Sequence, residues 1–432
     1  MTTAPTAARP ARKDLIKAFV ASLSGTSLEW YDFAAYSVAS ALVFGQLFFP
    51  DHDPLSGTLL AFSTYAVGYV SRPLGGFVFG RLGDTLGRKR VLVITLLITG
   101  ISTVFIGLLP TYGQVGALGA VLLVVLRFAQ GVGIGGEWGG AVLLSSEFGS
   151  EKHRGFWASA AQIGPPAGNL LANGALAALA ATLTSAQFMS WGWRVAFLLS
   201  AVLVIFGLWI RVKLEETPVF QELQQKGEQT STPVTEVFTR EPRALISAIL
   251  CRVGPDVTYA LFTVFVLTYV TQTLGMPKSW AVTGVMTGSA LQLFLMPLAG
   301  AVSDRLGRRR VYAIGAAGAL VWPFLFFPMI EGGSAGTLML GVIVGLILHA
   351  LMYGPQAAFV AEQFSPALRS TGASLAYTLA GVIGGALAPL LFTALYAHYG
   401  TWVAPASYLA ATCVVTMIGL ALSPTAARAA SR

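Results

Sequence analysis

Charge is what this sequence has least of: 11% of its 432 residues are Asp, Glu, Lys or Arg, against about 25% in an ordinary soluble domain. With 55% hydrophobic residues and a mean hydropathy of +0.70, a soluble globular fold is excluded and lipid is the expected solvent. Cysteine is nearly absent. Cys251 and Cys413 both fall in apolar runs, which argues against a disulfide framework. No segment reads G-x-x-x-x-G-K-[ST], so nothing points to an ATP-driven pump, and no cofactor or metal is expected. The first 17 residues carry Arg9, Arg12, Lys13 and Lys17 but no apolar core ending at a small-residue cleavage site, so no removable signal peptide is expected.

What is there is a series of 12 apolar runs, beginning near residues 18, 56, 91, 116, 155, 191, 244, 280, 311, 335, 370 and 402, each about the 20 residues needed to cross a bilayer. Lipid cannot satisfy backbone groups, so each span should be a helix and the protein an all-α membrane protein. Of 27 basic residues, 22 fall in the amino terminus, the even-to-odd connections and the tail. Arg194 and Lys278 lie on the other side, and Arg72, Arg127 and Arg252 lie within spans. The positive-inside rule then places both termini in the cytoplasm of a multi-pass plasma-membrane protein. The net charge of +8 is a topology signal and does not indicate nucleic acid.

The chain is also duplicated. "GRLGDTLGRKRVL" from Gly80 matches "GAVSDRLGRRRVY" from Gly300, and "EFGSEKHRG" from Glu147 matches "EQFSPALRSTG" from Glu362. The expected organisation is a segment 1–17, a six-helix bundle 18–213, a cytoplasmic linker 214–243, a second bundle 244–423 and a tail 424–432. Two parallel repeats with a polar linker are a transporter plan, the substrate held near midplane between the halves.

These residues resemble known ones. The paired loops are similar to the G-x-x-x-D-x-x-G-R-[RK]-[RK] signature of the major facilitator superfamily, and "LRFAQGVGIGG" from Leu126 resembles its helix-4 motif. Within it, "EWYDF" at Glu29, "SRPLGG" at Ser71, "GGEWGGA" at Gly135 and "WGWRVAF" at Trp191 resemble the metabolite:proton symporter family, and "ALVFGQLFFP" its shikimate-permease branch. The resemblance implies proton-coupled uptake of a small organic acid or zwitterion, and a proton-sensitive pair formed by Asp32 and Arg127.

Seven ionisable residues fall well inside the predicted spans: Glu29, Asp32, Glu137 and Asp256 against Arg72, Arg127 and Arg252. Charges there are costly and mark function. Fully ionised, this set leaves one negative charge unmatched, so one carboxylate is expected to carry a proton. Glu29 faces either the cavity or the seam between the first and fourth spans; Glu137 in "GGEWGG" is a second proton or substrate candidate. Arg252, Asp256 and Tyr259 share a face of the seventh span, which Pro255 should bend. Tyr31, Tyr36, Trp138, Gln162, Asn169, His349, Tyr353 and Gln356 complete the expected substrate inventory, with Arg127 also a carboxylate ligand.

In the repeated loops, Asp84, Arg88, Asp304 and Arg308 are expected to gate the cytoplasmic side, the motif Asp meeting a helix start of the opposite half by resemblance. Glu147 with Arg154, and Glu362 with Arg369, should extend that latch. Other readings remain open: a betaine or proline symporter using an aromatic cage, a proton-driven exporter, for which "AQIGPPAGN" partly resembles an antiporter element, or a membrane sensor. Gly131, Gly133 and Gly136 match a G-x-G-x-x-G fingerprint, but no strand precedes them, so a nucleotide is not implied. Gly131, Gly135 and Gly139 are spaced by four, as are Gly136 and Gly140, which suits close helix packing.

Overall fold

In lipid every backbone group must be satisfied within its own segment, and the computed structural model of the chain, which describes residues 12–51, 54–228 and 232–424, is helical with no strand among them. Residues 1–11, 229–231 and 425–432, parts of the expected terminal segments and linker, lie outside the described residues. Twelve helical rods follow one another: α1 (12–48), α2 (54–85), α3 (Arg88–Leu108), α4 (Leu118–Phe148), α5 (154–182), α6 (Ser185–Val212), α7 (Pro242–Thr273), α8 (Lys278–Leu306), α9 (Arg308–Glu331), α10 (Ala335–Ala361), α11 (Arg369–Tyr399) and α12 (Val403–Leu422). Among the described residues, nine are long and apolar enough to cross a membrane by length and composition alone. The other three are α1, which carries Glu29 and Asp32, α2, interrupted at Ser71, and α5, which tightens into 3-10 turns over Ser159–Ile163.

Most rods start within three residues of the hydropathy expectation. α1 and α6 start six residues earlier, because a helix continues past its apolar core into polar turns. α7 runs through Pro255 without a break to Ala260 and widens into π-turns at Leu261–Phe265 and Tyr269–Thr273. A single proline removes one hydrogen bond, and tightly packed neighbours hold the rest of the helix.

The rods form two six-helix bundles in the same orientation. In the first, α1 packs on α5, and α3 on α4 and α6; in the second, α8 and α9 pack on α10, and α7 on α12. Glycine sets the closest approaches. A Cβ at Gly75 would stand 1.9 Å from the Val132 carbonyl oxygen, and one at Gly135 2.0 Å from that of Arg72, so α2 and α4 meet backbone to backbone. The halves meet where α2 and α4 touch α11 and where α5 touches α8 and α10. Large side chains such as Val70, Val202, Phe294 and Leu325 stay exposed and coat the outside.

Candidate functional site

Asp32 and Glu29 lie one turn apart on α1 and are both fully buried, yet they have different partners. Glu29 faces Arg72 of α2 at 3.2 Å, and that guanidinium lies 4.2 Å above the Phe33 ring and 4.5 Å above Tyr69. Asp32 has no cation at ion-pair distance among the described residues. Its Oδ2 accepts from the Thr103 hydroxyl of α3 (2.5 Å) and from Gln130 Nε2 of α4 (3.3 Å), while Oδ1 has no hydrogen-bond partner. Arg127 donates to Gln130 Oε1 and rests 4.1 Å over Phe33 and 4.2 Å over Tyr36. The expected Asp32–Arg127 pair is therefore bridged through an amide and not direct.

Glu137 corrects the charge count. It forms an ion pair with Arg211 of α6, and Thr95 donates to it at 2.8 Å. Arg211 also donates to the Leu92 carbonyl (2.6 Å) and is buried. By sequence Arg211 is counted with Lys213 among the 22 basic residues of the connections and termini. α6 continues to Val212 and turns this guanidinium inward, where Gly25 of α1 leaves room: a Cβ there would stand 1.8 Å from Arg211 Nη2. Inside the spans, Arg72, Arg127, Arg211 and Arg252 thus balance Glu29, Asp32, Glu137 and Asp256 in number, and no charge is left over.

Where the halves meet, side chains from α4, α5, α7, α10 and α11 converge. Arg252 pairs with Asp256 at 2.9 Å, and its guanidinium lies 3.3 Å over the ring of Tyr377, which stacks on Trp138 at 4.2 Å and 14°. Trp138 donates to Gln162 (2.8 Å), and Gln162 in turn donates to the Tyr353 carbonyl (2.8 Å) and to Gln356 (3.3 Å). Asn169 donates to the Tyr259 hydroxyl, and the Tyr259 ring lies 5.1 Å from His349, which stacks on Tyr353 at 5.0 Å. Arg252 Nη1 and the Tyr377 hydroxyl are buried with no hydrogen-bond partner among the described residues.

Two tyrosines stand outside this cluster. Tyr31 donates to the Ala196 carbonyl (2.6 Å) and Tyr36 bonds Thr64 (2.6 Å), both within the first half. Sequence reasoning had missed Tyr377, Thr103, Gln130 and Arg211. Only Arg211 carried a charge signal, and proximity to the basic end masked it.

At the basic end the repeat produces a near-symmetric lock. Asp84 accepts from the Ser370 and Thr371 backbone N–H groups (3.2 and 2.8 Å), and Asp304 from those of Gly155 and Phe156 (2.8 and 3.0 Å). Each carboxylate sits at a helix start of the opposite half, where the dipole favours it. The expected pairs Glu147–Arg154 and Glu362–Arg369 are exchanged. Glu147 faces Arg369 (3.7 Å) and Arg88 (3.6 Å), while Glu362 faces Arg154 (3.8 Å) and Arg308 (2.6 Å). A turn over Glu151–His153 separates Glu147 from Arg154, and the arginine points across the interface. Arg88 and Arg308 also close on Asp84 (3.4 Å) and Asp304 (2.7 Å).

Comparison with known proteins follows the same lines. The Major Facilitator Superfamily model matches residues 18–389 and, again, 261–431. The chain is 39% identical to the inner membrane metabolite transport protein YhjE of Escherichia coli over 415 residues, 94% of this chain and 93% of that one. It is 38% identical to the shikimate transporter of Escherichia coli over 418 residues, 96% and 95% of the two chains. Among solved structures, the proton:xylose symporter XylE bound to 6-bromo-6-deoxy-D-glucose superposes with a TM-score of 0.73 at 17% identity, covering 95% of each chain.

Proposed function

The chain belongs to the major facilitator superfamily, and from that premise we propose that it is a proton-coupled symporter importing a small carboxylate metabolite by alternating access. It is a transporter and not an enzyme. We place its basic end and both termini in the cytoplasm, with bundles over 18–213 and 244–423 joined by the linker 214–243; the excess of Lys and Arg at that end supports this.

One observation carries the reading. Of the four intramembrane carboxylates, Asp32 alone lacks a guanidinium at ion-pair distance among the described residues, so it can gain and lose a proton without breaking an ion pair. Glu29, Glu137 and Asp256 are neutralised by Arg72, Arg211 and Arg252, and we assign Glu137 a structural role. The substrate carboxylate is assigned to Arg252 Nη1 and the Tyr377 hydroxyl, two buried donors with hydrogens to give. Trp138, Gln162, Asn169, Tyr259, His349, Tyr353 and Gln356 surround them. The named activity of the 38%-identical relative supports a shikimate-like hydroxylated acid as the first ligand to try.

The lock at the basic end closes the cytoplasmic path while the site is open to the other side, and loading proton and substrate carboxylate together keeps the interior neutral as the halves rock, whereas either alone leaves one charge unmatched. The test is uptake by the purified carrier in sealed proteoliposomes. An imposed inward pH gradient should drive accumulation of the acid found by a thermal-shift screen of carboxylates and betaines at two pH values. Asp32→Asn should abolish accumulation yet leave exchange; full pH-driven accumulation in that variant removes Asp32 from the proton site. Stabilisation by betaine alone would turn the substrate assignment to a zwitterion, and proton-driven efflux in counterflow would turn it to export.

A further inference from the structure

We infer that Thr103 and Gln130 form a proton-sensitive link through which Asp32 holds Arg127, so that protonating the carboxyl loosens the hold on a guanidinium it does not touch. The inference rests on the reading of Asp32 as the proton carrier.

The hydrogen-bond inventory fixes the link. Arg127 has only donors, so the Gln130 oxygen must face it, and Nε2 then faces Thr103 Oγ1 at 2.7 Å and Asp32 Oδ2 at 3.3 Å. Thr103 accepts from Gln130 and has one hydrogen to give, with two acceptors in reach: Asp32 Oδ2 at 2.5 Å and the Thr99 carbonyl at 2.9 Å. While Asp32 is ionised the hydrogen goes to the carboxylate, a charge-assisted bond. A proton arriving from water bonds to Asp32, and Oδ1, without a partner, takes it at no loss of an existing bond. No other hydrogen leaves its atom. The Thr103 hydrogen turns to Thr99, and Gln130 is left facing a neutral acid.

Arg127 is the output. With its amide partner no longer anchored on an anion, it is held less firmly beside Gln130 and the faces of Phe33 and Tyr36. It lies against α2, since a Cβ at Gly68 would stand 2.6 Å from Arg127 Nε. α2 also carries Arg72, the partner of Glu29, so the state of Asp32 reaches the helix that meets α11 of the other half. The charged or titratable groups facing Asp32 are Glu29 and Tyr31 on α1, Arg127 on α4 and, through Glu29, Arg72 on α2. α3 has none between Val91 and Leu108.

The test needs no substrate. Infrared difference spectra of the purified full chain, titrated with acid, should show a protonated-carboxyl band that is missing in Asp32→Asn. Thr103→Val and Gln130→Leu each remove a donor to the carboxylate and should move the band's midpoint to higher pH by about one unit. Thr103→Ser, which keeps the hydroxyl, should restore the native midpoint. Arg127→Met should shift the midpoint at least twice as far with Gln130 present as in the Gln130→Leu background. Equal shifts in both backgrounds, or unmoved midpoints in Thr103→Val and Gln130→Leu, overturn the link while leaving Asp32 as carrier. A titration unchanged by Asp32→Asn overturns the carrier reading, and the link with it.

Discussion

Tyr377 presents its ring to Trp138 and Arg252 and leaves its hydroxyl unused by any described protein group. A buried polar atom without a partner costs about 1–3 kcal/mol, which is reasonable only if something else bonds to it in the working cycle. Tyr377→Phe should therefore leave the thermal unfolding midpoint unchanged or raised, and weaken substrate affinity about tenfold, as a lost hydrogen bond of about 1.4 kcal/mol requires. Equal affinity in an equilibrium binding assay would remove the hydroxyl from the site. Arg211 poses the opposite case. Its pairing with Glu137 is enclosed by α1, α3 and α4, and breaking such a pair by removing one partner costs about 3–5 kcal/mol. Arg211→Met should lower the unfolding midpoint sharply, and Glu137→Met with Arg211→Met should recover most of it, because two well-packed apolar side chains leave no stranded charge. If single and double variants unfold together, the pair is not what holds these helices.

At the scale of elements, the backbone contact of α2 with α4 is the tightest constraint. Gly75 and Gly135 each face a carbonyl oxygen at a distance no Cβ could occupy, and in lipid such close packing is the main attraction between helices. Gly135→Val should force the rods apart, displacing Arg72 from Glu29 as well, and lower the yield of the native peak in size-exclusion chromatography; a native profile would show that α2 can move aside. Helix number, rod limits and the repeated loops were legible in the sequence, because length, hydropathy and internal symmetry are properties of single segments. The glycine spacing on α4 was legible for the same reason. Which charges meet was less so. Glu147 and Arg154 are seven residues apart in sequence, yet pair with Arg369 and Glu362, since a turn directs them to opposite sides of the interface. Thr103 and Gln130 were not singled out, because a lone hydroxyl and a lone amide on two different spans show that they meet one carboxylate only once those spans are packed together. The linker added another such contact: Thr217 donates to Glu147 at 2.6 Å, and Glu216 caps the start of α3 through the Arg88 and Lys89 N–H groups (3.0 and 3.2 Å).

For the whole molecule, the consequence of duplication is that one lock is built twice. Asp84 on α2 caps α11, and Asp304 on α8 caps α5, so separating the halves at this end must break both contacts together with the crossed arginine pairs. A carboxylate at a helix start contributes about 1 kcal/mol, more when partly buried, and neutralising one should shift the closed-to-open equilibrium about fivefold, neutralising both about thirtyfold. Ser159, fully buried beside Gly300 at the contact of α5 with α8, reports the opening. In a Ser159→Cys background, where the native Cys251 and Cys413 are both buried, maleimide reagent should react slowly with the purified carrier. Asp84→Asn or Asp304→Asn should each accelerate it about fivefold, and the double variant should exceed either. An unchanged rate in the double variant would mean that arginine pairs alone keep this end shut. In that event Arg154→Gln with Arg369→Gln should release it, because both crossed bridges would then lack their cation.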